Sequence, residues 1–451
     1  MQDALIIGCD IYRDIYNGGI MMLIRGVRVI DPLSGMDRTA DIETENGVIR
    51  GIRTAVHRED EIRGNYEHVI DGAGLIAAPG LIDVHSHFRD PGQTEKETLA
   101  SGAAAAARGG YTTVICMANT VPPVDSPGVI SDILERAENL PIRLLQTSTV
   151  TEKMKGKTVV DMELMARYGA AGFTDDGRPI TDPGVITEAM RKASRLGMVI
   201  SLHEEDPEYV VNPGVNAGNT SLKLGLEGAD RAAEEIMVER DCLIAKETGA
   251  RIDIQHVSSA GSVELIRLAK KGGADVWCEA TPHHFSMTEE IVTAKGTMAK
   301  MNPPLRTEAD RLAIIKGLQD GTIEIIATDH APHTREEKER PFAEAPSGII
   351  GLETSLALGI TNLVKPRHLD MMQLLRKLTC NPAEMYGLDA GVLTEGAPAD
   401  IVLFDPDERW TVSCEDFASK SCNSPFIGCS LLGRVKYTIC RGSIVYEDGH
   451  R

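Results

Sequence analysis

The sequence predicts a (β/α)8 barrel flanked by a small β-domain that both ends of the chain build together. Its 451 residues exceed one ordinary domain and suit one core of barrel size with a smaller attached unit. Between residues 76 and 390, strand-like runs alternate with helical segments rich in Ala, Leu, Glu and Lys. This alternation is typical of parallel strands that are joined by crossover helices.

Short β-type runs without helical periodicity occupy both flanks of the predicted barrel. Residues 22–75 contain MLIRGVRVI and DIETENGVIRGI, and residues 391–451 contain DIVLFDPD and VKYTICRGSIVYEDG. We predict that these two segments join into one small β-domain. Residues 1–21 do not fit this pattern and are expected to form an N-terminal extension, with Met21 or Met22 as an alternative start.

Polar side chains follow the strand-like runs of the predicted barrel, at the ends where barrel enzymes place their active sites. A buried histidine taken alone is more often a hydrogen-bonded structural residue than a ligand. Because such groups recur at successive strand ends, the functional interpretation is favoured here. The eight runs are LIAAPGLIDVHSH, TTVICMANT, IRLLQTSTV, GAAGFTDD, GMVISLHEED, RIDIQHVSS, ADVWCEATPHH and IEIIATDHAPH. The polar residues at their ends are His85, His87, Asn119, Asp176, His203, His256 and Asp329.

The segment DVHSHFRDPG, from Asp83 to Gly92, contains the most informative motif of the chain. His85 and His87 follow an apolar run directly, and alternate side chains of a strand share one face. Two imidazoles at the end of one strand can therefore reach one metal ion. The motif predicts a metal-dependent hydrolase.

Composition limits the partners of this chain. The formal net charge is -20 without any Lys/Arg cluster, which argues against nucleic acid and acidic membrane surfaces as partners. No apolar stretch reaches the roughly 18 to 20 residues that cross a bilayer, and the N-terminus lacks the pattern of a secretory signal. Nine cysteines without a CxxC pair predict reduced thiols, with Cys116 and Cys278 as packing residues. We therefore expect a cytoplasmic protein.

From about Met22 to Gly449, the chain resembles the class I bacterial dihydroorotases of the amidohydrolase superfamily. The resemblance implies a metal-containing (β/α)8 barrel that reversibly hydrolyses the cyclic amide of (S)-dihydroorotate. The product would be N-carbamoyl-L-aspartate, an intermediate of pyrimidine biosynthesis. The motifs that carry the resemblance are DVHSHFRDPGQTEKET, MANT, GFTDDG, LHEED, DIQHVSS, MNPPLR, ATDHAPHT, GIIGLET and SKSCNSPF.

The resemblance also implies a set of metal ligands. It assigns His85, His87 and Asp329 to one Zn²⁺, and His203 and His256 to a second. Asp176 would bridge the two ions, with Asp175 as the competing choice. Many relatives bridge with a carboxylated lysine, but AAGFTDDG contains no lysine. One or two zinc ions per chain are expected, with two preferred, and Mn²⁺ or Co²⁺ suit the same ligands.

The same resemblance assigns roles in catalysis and substrate binding. Asp329 would act as the general base and then as the general acid. Arg89, two residues beyond His87, offers a bidentate fork for the substrate carboxylate. Asn119 and His333 are assigned to the same carboxylate, and Asn302 to the ring. In the alternative interpretation, the two Asn residues cap strand-end turns and His333 orients a loop.

Other features of the sequence favour structural interpretations. His283 and His284 are not needed as ligands, and we expect His284 to support the site from behind. The charge run TREEKER at 334–340 predicts a solvated, mobile loop beside the site. The run GAAAAARGG at 102–110 predicts an Ala-rich packing helix, because it lacks the motifs of a phosphate-binding loop.

Two alternative functions stay open at the level of sequence. The first is another cyclic amidohydrolase, namely a dihydropyrimidinase, hydantoinase or allantoinase. The second is a non-catalytic scaffold for aspartate transcarbamoylase, although such a protein would be expected to lose metal ligands. An active enzyme is also compatible with a homo-oligomer or with an association with that transcarbamoylase. The sequence does not determine the oligomeric state.

Overall fold

The computed structural model describes residues 21–54 and 66–449. It confirms the predicted barrel and the small β-domain that both ends of the chain contribute to. The expected N-terminal extension lies almost entirely outside the described residues, since their first residue is Met21.

The small β-domain is a single, mostly antiparallel sheet. Its order is β16-β15-β14-β5-β1-β2-β3, with β4 also beside β1, so N-terminal and C-terminal strands share one sheet. Inward-facing apolar side chains such as Ile42 and Ile401 form its own core. The strands are β1 (Met21–Asp31), β2 (Met36–Glu45), β3 (Val48–Arg53), β4 (His68–Asp71), β5 (Ile76–Pro79), β14 (Ile401–Thr411), β15 (Ser430–Cys440) and β16 (Ser443–Glu447).

The barrel consists of eight parallel strands in sequence order. A bridge between Ser86, at the end of the first strand, and His330, in the segment that follows the last strand, brings the two edges of the sheet together. The buried carboxylate of Asp83 reinforces this closure by accepting hydrogen bonds from the Thr328 backbone N–H (2.8 Å) and hydroxyl (2.6 Å). The strands are β6 (Leu81–Ser86), β7 (Tyr111–Cys116), β8 (Arg143–Ser148), β9 (Ala170–Phe173), β10 (Ile200–Leu202), β11 (Ile252–Ile254), β12 (Val276–Ala280) and β13 (Ile325–Ile326).

The run LIAAPGLIDVHSH forms two strands rather than the single barrel strand that was predicted. Its first half, β5, pairs with β14 and β1 in the small sheet, and its second half, β6, starts the barrel. Gly80 joins the two strands, and a Cβ atom there would lie 2.2 Å from the Thr112 hydroxyl. The close approach of the two strand systems therefore requires glycine at this junction.

Helices cover the outside of the barrel. The predicted Ala-rich helix is present: its small residues allow close packing, and a Cβ atom at Gly102 would clash with Phe88. No helix among the described residues is both long enough and apolar enough to cross a membrane. The α-helices are α1 (Leu99–Gly109), α2 (Pro127–Ala137), α3 (Met162–Arg167), α4 (Pro183–Leu196), α5 (Asn219–Lys223), α6 (Ala232–Thr248), α7 (Ala260–Lys271), α8 (Pro282–Ser286), α9 (Ile291–Lys295), α10 (Glu308–Asp320), α11 (Arg335–Lys338), α12 (Ser355–Gly359), α13 (Met371–Leu378) and α14 (Cys380–Tyr386), and a π-helical turn (Ile360–Val364) follows α12.

The prediction of reduced thiols is wrong for one pair of cysteines. Cys414 and Cys422 form a disulfide that closes a short loop, with their Cα atoms 5.5 Å apart. No sequence pattern indicates this pair, because proximity across an irregular loop has no periodic signal. Cys116 and Cys278 are buried free thiols, as expected of packing residues.

Candidate active site

Two histidines and two carboxylates meet at the C-terminal end of β6. The Nε2 atom of His87 lies 3.0 Å from Asp329 Oδ1 and 3.3 Å from Asp176 Oδ2. The Nε2 atom of His85 lies 3.5 Å from Asp176 Oδ1 and 3.6 Å from Asp329 Oδ1. The three side chains His85, His87 and Asp176 therefore form a buried group that could hold a metal ion.

A second group shares Asp176 with the first. His203 follows β10 and His256 follows β11, and their facing nitrogens, Nδ1 and Nε2, lie 2.9 Å apart. Asp176 Oδ1 is 3.6 Å from the His203 nitrogen and 3.8 Å from that of His256. The carboxylate of Asp176 thus lies between two pairs of imidazoles, and these three residues form a second group able to hold a metal ion.

The neighbouring carboxylate, Asp175, is used differently. Its Oδ1 accepts hydrogen bonds from the backbone N–H groups of Val150 (2.8 Å) and Thr151 (3.1 Å), and the Thr151 hydroxyl donates to its Oδ2. Burial raises the pKa of Asp175 to about 6. Asp175 joins two loops, whereas Asp176 faces the histidines.

The backbone is strained at three residues of the site. Arg89, His256 and Asp329 have φ angles of 58°, 35° and 47°, a region that non-glycine residues rarely adopt. Such conformations persist only where the surrounding structure enforces them, and they cluster at functional sites. Here the three strained conformations occur at predicted site residues that lie at the same end of the barrel.

Side chains behind the histidines fix which ring nitrogen faces the cluster. His85 Nδ1 donates to Glu279 Oε2 (2.9 Å), and His87 Nδ1 donates to Asn119 Oδ1 (2.9 Å). Each Nε2 then faces the carboxylates of Asp176 and Asp329, where its lone pair could bind a metal ion. The Nε2 atom of His85 is buried without a hydrogen-bond partner in the described part of the chain. This unpartnered nitrogen, together with the imidazole and carboxylate donors around it, fits a divalent metal ion.

The electrostatics of the cluster agree with this interpretation. Burial opposes protonation of His85, but the carboxylates of Glu279 and Asp176 hold its pKa well above the usual value. Burial likewise opposes ionisation of Asp176, yet the His85 imidazole and hydrogen bonds to His203 and His256 hold its pKa well below the usual range. A site that stabilises anionic carboxylates among imidazoles is suited to cations.

The predicted substrate-binding residues border this cluster. Burial lowers the pKa of Arg89, whereas the nearby carboxylates of Asp329, Asp176 and Glu337 raise it. The Nε atom of Arg89 donates a hydrogen bond to the Pro332 carbonyl (3.4 Å). The other nitrogens of its fork are the ones that a carboxylate would engage.

Asn119 and His333 already have protein partners. Besides accepting from His87, Asn119 donates through Nδ2 to Asp176 Oδ2 (3.3 Å). His333 Nε2 donates to the Ser347 carbonyl (2.8 Å), so its Nδ1 carries the lone pair. Burial and the nearby cation of Arg89 lower the pKa of His333. His333 Nδ1 lies 3.4 Å from Glu337 Oε2, and the role of His333 at the substrate carboxylate stays a prediction beside the alternative in which it orients a loop.

The expected solvated loop at 334–340 is wrong for one of its residues. Arg335–Lys338 forms the short helix α11, capped by Thr334. Arg335 is exposed, but Lys338 is 2% exposed and donates to the carbonyls of Pro346 (2.9 Å) and Gly348 (3.0 Å). The burial of Lys338 could not be predicted from the charge run, because the sequence does not show which carbonyls surround the side chain.

Sequence reasoning also missed Glu279. It lies inside the buried strand β12, where its Oε2 contacts both the His85 ring and the backbone N–H of His256 (3.4 Å). An acidic residue within the apolar run ADVWCEA was the available signal, because a buried charge needs a partner. His284 donates to the Pro303 carbonyl (3.1 Å), next to Asn302, and its support of the site stays a prediction.

Comparisons with known proteins agree with the geometry. The model of the amidohydrolase family matches residues 76–445. The chain is 56% identical to a dihydroorotase of Clostridioides difficile (strain 630), over 95% of this chain and 100% of the relative. It is 51% identical to a dihydroorotase of Clostridium acetobutylicum, with the same coverage. The chain belongs to the dihydroorotases of the amidohydrolase family.

Solved structures place the fold of this dihydroorotase family member beside the hydantoinases. An L-hydantoinase (dihydropyrimidinase) from Arthrobacter aurescens superposes with a TM-score of 0.84 at 26% identity, covering 95% of this chain and 96% of that chain. A dihydropyrimidinase from Brevibacillus agri has a TM-score of 0.82 at 20% identity, covering 95% of both chains. The second likeness shows the shared fold alone.

Proposed function

We propose that this hydrolase catalyses the reversible hydrolysis of (S)-dihydroorotate to N-carbamoyl-L-aspartate. The observation that carries the proposal is a half-buried guanidinium, Arg89, beside a double His/Asp cluster, in a chain 56% identical to a dihydroorotase. The cluster suits cleavage of an amide, and the guanidinium suits the carboxylate that distinguishes dihydroorotate from an uncharged dihydropyrimidine.

We infer that the cluster holds two zinc ions. His85, His87 and Asp329 would hold one, His203 and His256 the other, and Asp176 would bridge them. Two groups that share one carboxylate support this count, and neutral imidazole with carboxylate is a donor set that Zn²⁺ accepts. Divalent ions held there supply the Lewis acidity that activates water and polarises a carbonyl.

Asp329 is the residue proposed to move the proton. Its Oδ1 lies 3.0 Å from the His87 ring, and burial opposes its ionisation while His85 and His87 keep its pKa low. As a carboxylate it would accept a proton from the attacking water while the new C–O bond forms. It would then deliver that proton to the ring nitrogen as the C–N bond breaks. Ring closure requires Asp329 to start protonated, so lower pH favours the reverse reaction.

The substrate carboxylate is assigned to Arg89, and the ring to Asn302. We retain Asn119 and His333 as neighbours of the carboxylate, although their contacts with Asp176 and Ser347 would have to change for direct binding. Arg89 therefore has the main role in selecting an anionic substrate against an overall charge of -20.

The test is hydrolysis of (S)-dihydroorotate and of dihydrouracil by the purified chain, with metal content measured in the same samples. Turnover that is selective for dihydroorotate supports the proposal. Selective turnover of dihydrouracil by fully metal-loaded protein would identify a hydantoinase-like activity instead. The expected cytoplasmic location and the association with itself or with aspartate transcarbamoylase stay predictions, and sedimentation with and without the transcarbamoylase tests the latter.

A further inference from the structure

Glu205 lies next to the cluster without a role in the ligand set. It follows β10, two residues after His203, and its side chain is buried, with 7% of the residue exposed. Its Oε2 accepts a hydrogen bond from Asn302 Nδ2 (2.5 Å) and lies 3.8 Å from His203 Nε2. Glu205 therefore joins a proposed metal ligand to the residue proposed to face the substrate ring.

The contact decides which way the Asn302 amide points. An amide has a donor end and an acceptor end of nearly the same shape, so packing alone does not distinguish them. A carboxylate accepts hydrogen bonds only, and it therefore requires the NH2 end of Asn302 to face it. The opposite end, Oδ1, is buried and has no hydrogen-bond partner among the residues that the structure describes.

The backbone beside Asn302 is held from the other side. His284 donates through Nε2 to the carbonyl of Pro303, and its Nδ1 is paired with the Thr281 hydroxyl (2.7 Å). Because the main chain is fixed in this way, the remaining freedom is rotation of the Asn302 side-chain amide, and Glu205 restricts it. A preorganised acceptor costs no reorganisation when a ligand binds.

We propose that Glu205 is a positioning residue that acts through Asn302, holding Oδ1 as a fixed acceptor so that the site selects cyclic amides presenting a ring N–H. The inference rests on the proposed function, because the ring of dihydroorotate carries two N–H groups. A buried acceptor left without its donor is costly, so a ring that lacks the N–H is rejected more strongly than lost contact area would explain.

The test is a double-mutant cycle between Glu205→Gln and Asn302→Ala. Glutamine keeps the size of the side chain but can donate as well as accept, so it no longer enforces one orientation of Asn302. We expect Glu205→Gln to raise KM for dihydroorotate about tenfold, to leave kcat within about threefold and to weaken binding of orotate, a planar ring analogue, in parallel. In the Asn302→Ala background, the same change should add less than about twofold.

Asp206→Asn is the matched control. It removes one negative charge from the adjacent position, and asparagine can still cap the Glu208 N–H that Asp206 binds (3.0 Å). Metal content is measured for every variant, so that loss of metal through His203 is separated from a change in KM. The inference would be overturned if the fold-changes in KM of the two single variants multiply in the double variant. It would also be overturned if Glu205→Gln leaves both KM and the Kd for orotate unchanged.

A second measurement needs no substitution at Glu205. With the wild-type chain, methylation of one of the two ring nitrogens of orotate should weaken binding at least tenfold, and Asn302→Ala should abolish this discrimination. Equal binding of orotate and both methylated forms by the wild-type chain contradicts the inference. The proposed function fails separately, if the wild-type chain does not hydrolyse dihydroorotate at all.

Discussion

The metal cluster and the loop at 331–348 border the same site but are held in different ways. In the cluster, side chains hold side chains: Glu279 orients His85, and Asn119 orients His87. In the loop, side chains hold main-chain carbonyls, as Lys338 does for Pro346 and Gly348. The first arrangement depends on residue chemistry at every position, whereas the second depends mainly on the path of the backbone.

Two further buried side chains support the loop in the same manner. Lys300 Nζ donates to the carbonyls of Phe342 (2.6 Å) and Ala345 (2.7 Å). Asn423, from the loop beside the disulfide, donates to the carbonyl of Ala331 (2.9 Å). We therefore expect substitutions in the cluster to change chemistry, and substitutions under the loop to change stability and its dependence on pH.

The largest expected effect is that of Asp329→Asn. Asparagine keeps an oxygen near His87 but cannot accept and return a proton, so kcat for dihydroorotate should fall by about 10²- to 10⁴-fold with little change in KM. Steady-state kinetics with metal content determined alongside checks this. Activity within a few-fold of wild type would exclude Asp329 as the proton carrier.

Arg89→Met should have the next largest effect. Loss of charge-assisted hydrogen bonds to the substrate carboxylate should reduce kcat/KM for dihydroorotate by about 10- to 100-fold, and that for dihydrouracil much less. Arg136→Met is the matched control, because it removes a nearby cation that is bound to Asp90 (2.8 Å). Equal losses on both substrates in Arg89→Met would rule out carboxylate recognition.

Glu279→Gln should weaken metal binding without removing a ligand. Glutamine can still accept from His85 Nδ1, but it lacks the charge that strengthens the imidazole as a donor, so metal affinity should fall by about 10- to 100-fold. Competition with a chelator, followed by metal analysis, measures this. Glu324→Gln is the control, because it removes a carboxylate that pairs with Lys270 and lies directly before the neighbouring strand, β13. An affinity equal to wild type would remove Glu279 from the metal site.

Lys338→Met tests the loop, with the smallest expected effect. Burial lowers the pKa of Lys338 to about 7 from 10.5. Between these values the unfolded chain binds more protons than the folded chain, so the contribution of Lys338 to the free energy of unfolding should rise with pH. Its slope is limited to about 1.4 kcal/mol per pH unit.

Urea unfolding of wild type and Lys338→Met between pH 7 and pH 10 measures this difference. Lys223→Met, which removes an exposed lysine from the short helix α5, is the control. A difference in unfolding free energy that stays constant with pH would show that Lys338 remains charged in the folded chain.

The same contrast explains what could be predicted from the sequence. The barrel followed from the alternation of strand and helix patterns, and the cluster followed from His and Asp residues at successive strand ends. In both cases the residue type itself carries the signal. The choice between Asp175 and Asp176 needed coordinates, because adjacent residues in a turn differ in direction and not in chemistry.

Other parts of the structure had no sequence signal of comparable strength. The switch from β5 to β6 at Gly80 occurs inside one continuous apolar run. Lys338 is buried by carbonyls that every sequence possesses, and Cys414 meets Cys422 across an irregular loop. Such features depend on where the backbone travels in three dimensions, which local pattern does not determine.

The most direct test of the proposed two-metal cluster is the zinc content of Asp176→Asn beside that of Asp175→Asn. The two substitutions remove the same charge from adjacent residues, but only Asp176 lies between the two pairs of imidazoles. We predict about two zinc ions per chain in wild type and in Asp175→Asn, and a clear loss in Asp176→Asn. Full zinc content in Asp176→Asn, with loss in Asp175→Asn, would contradict a cluster that shares Asp176.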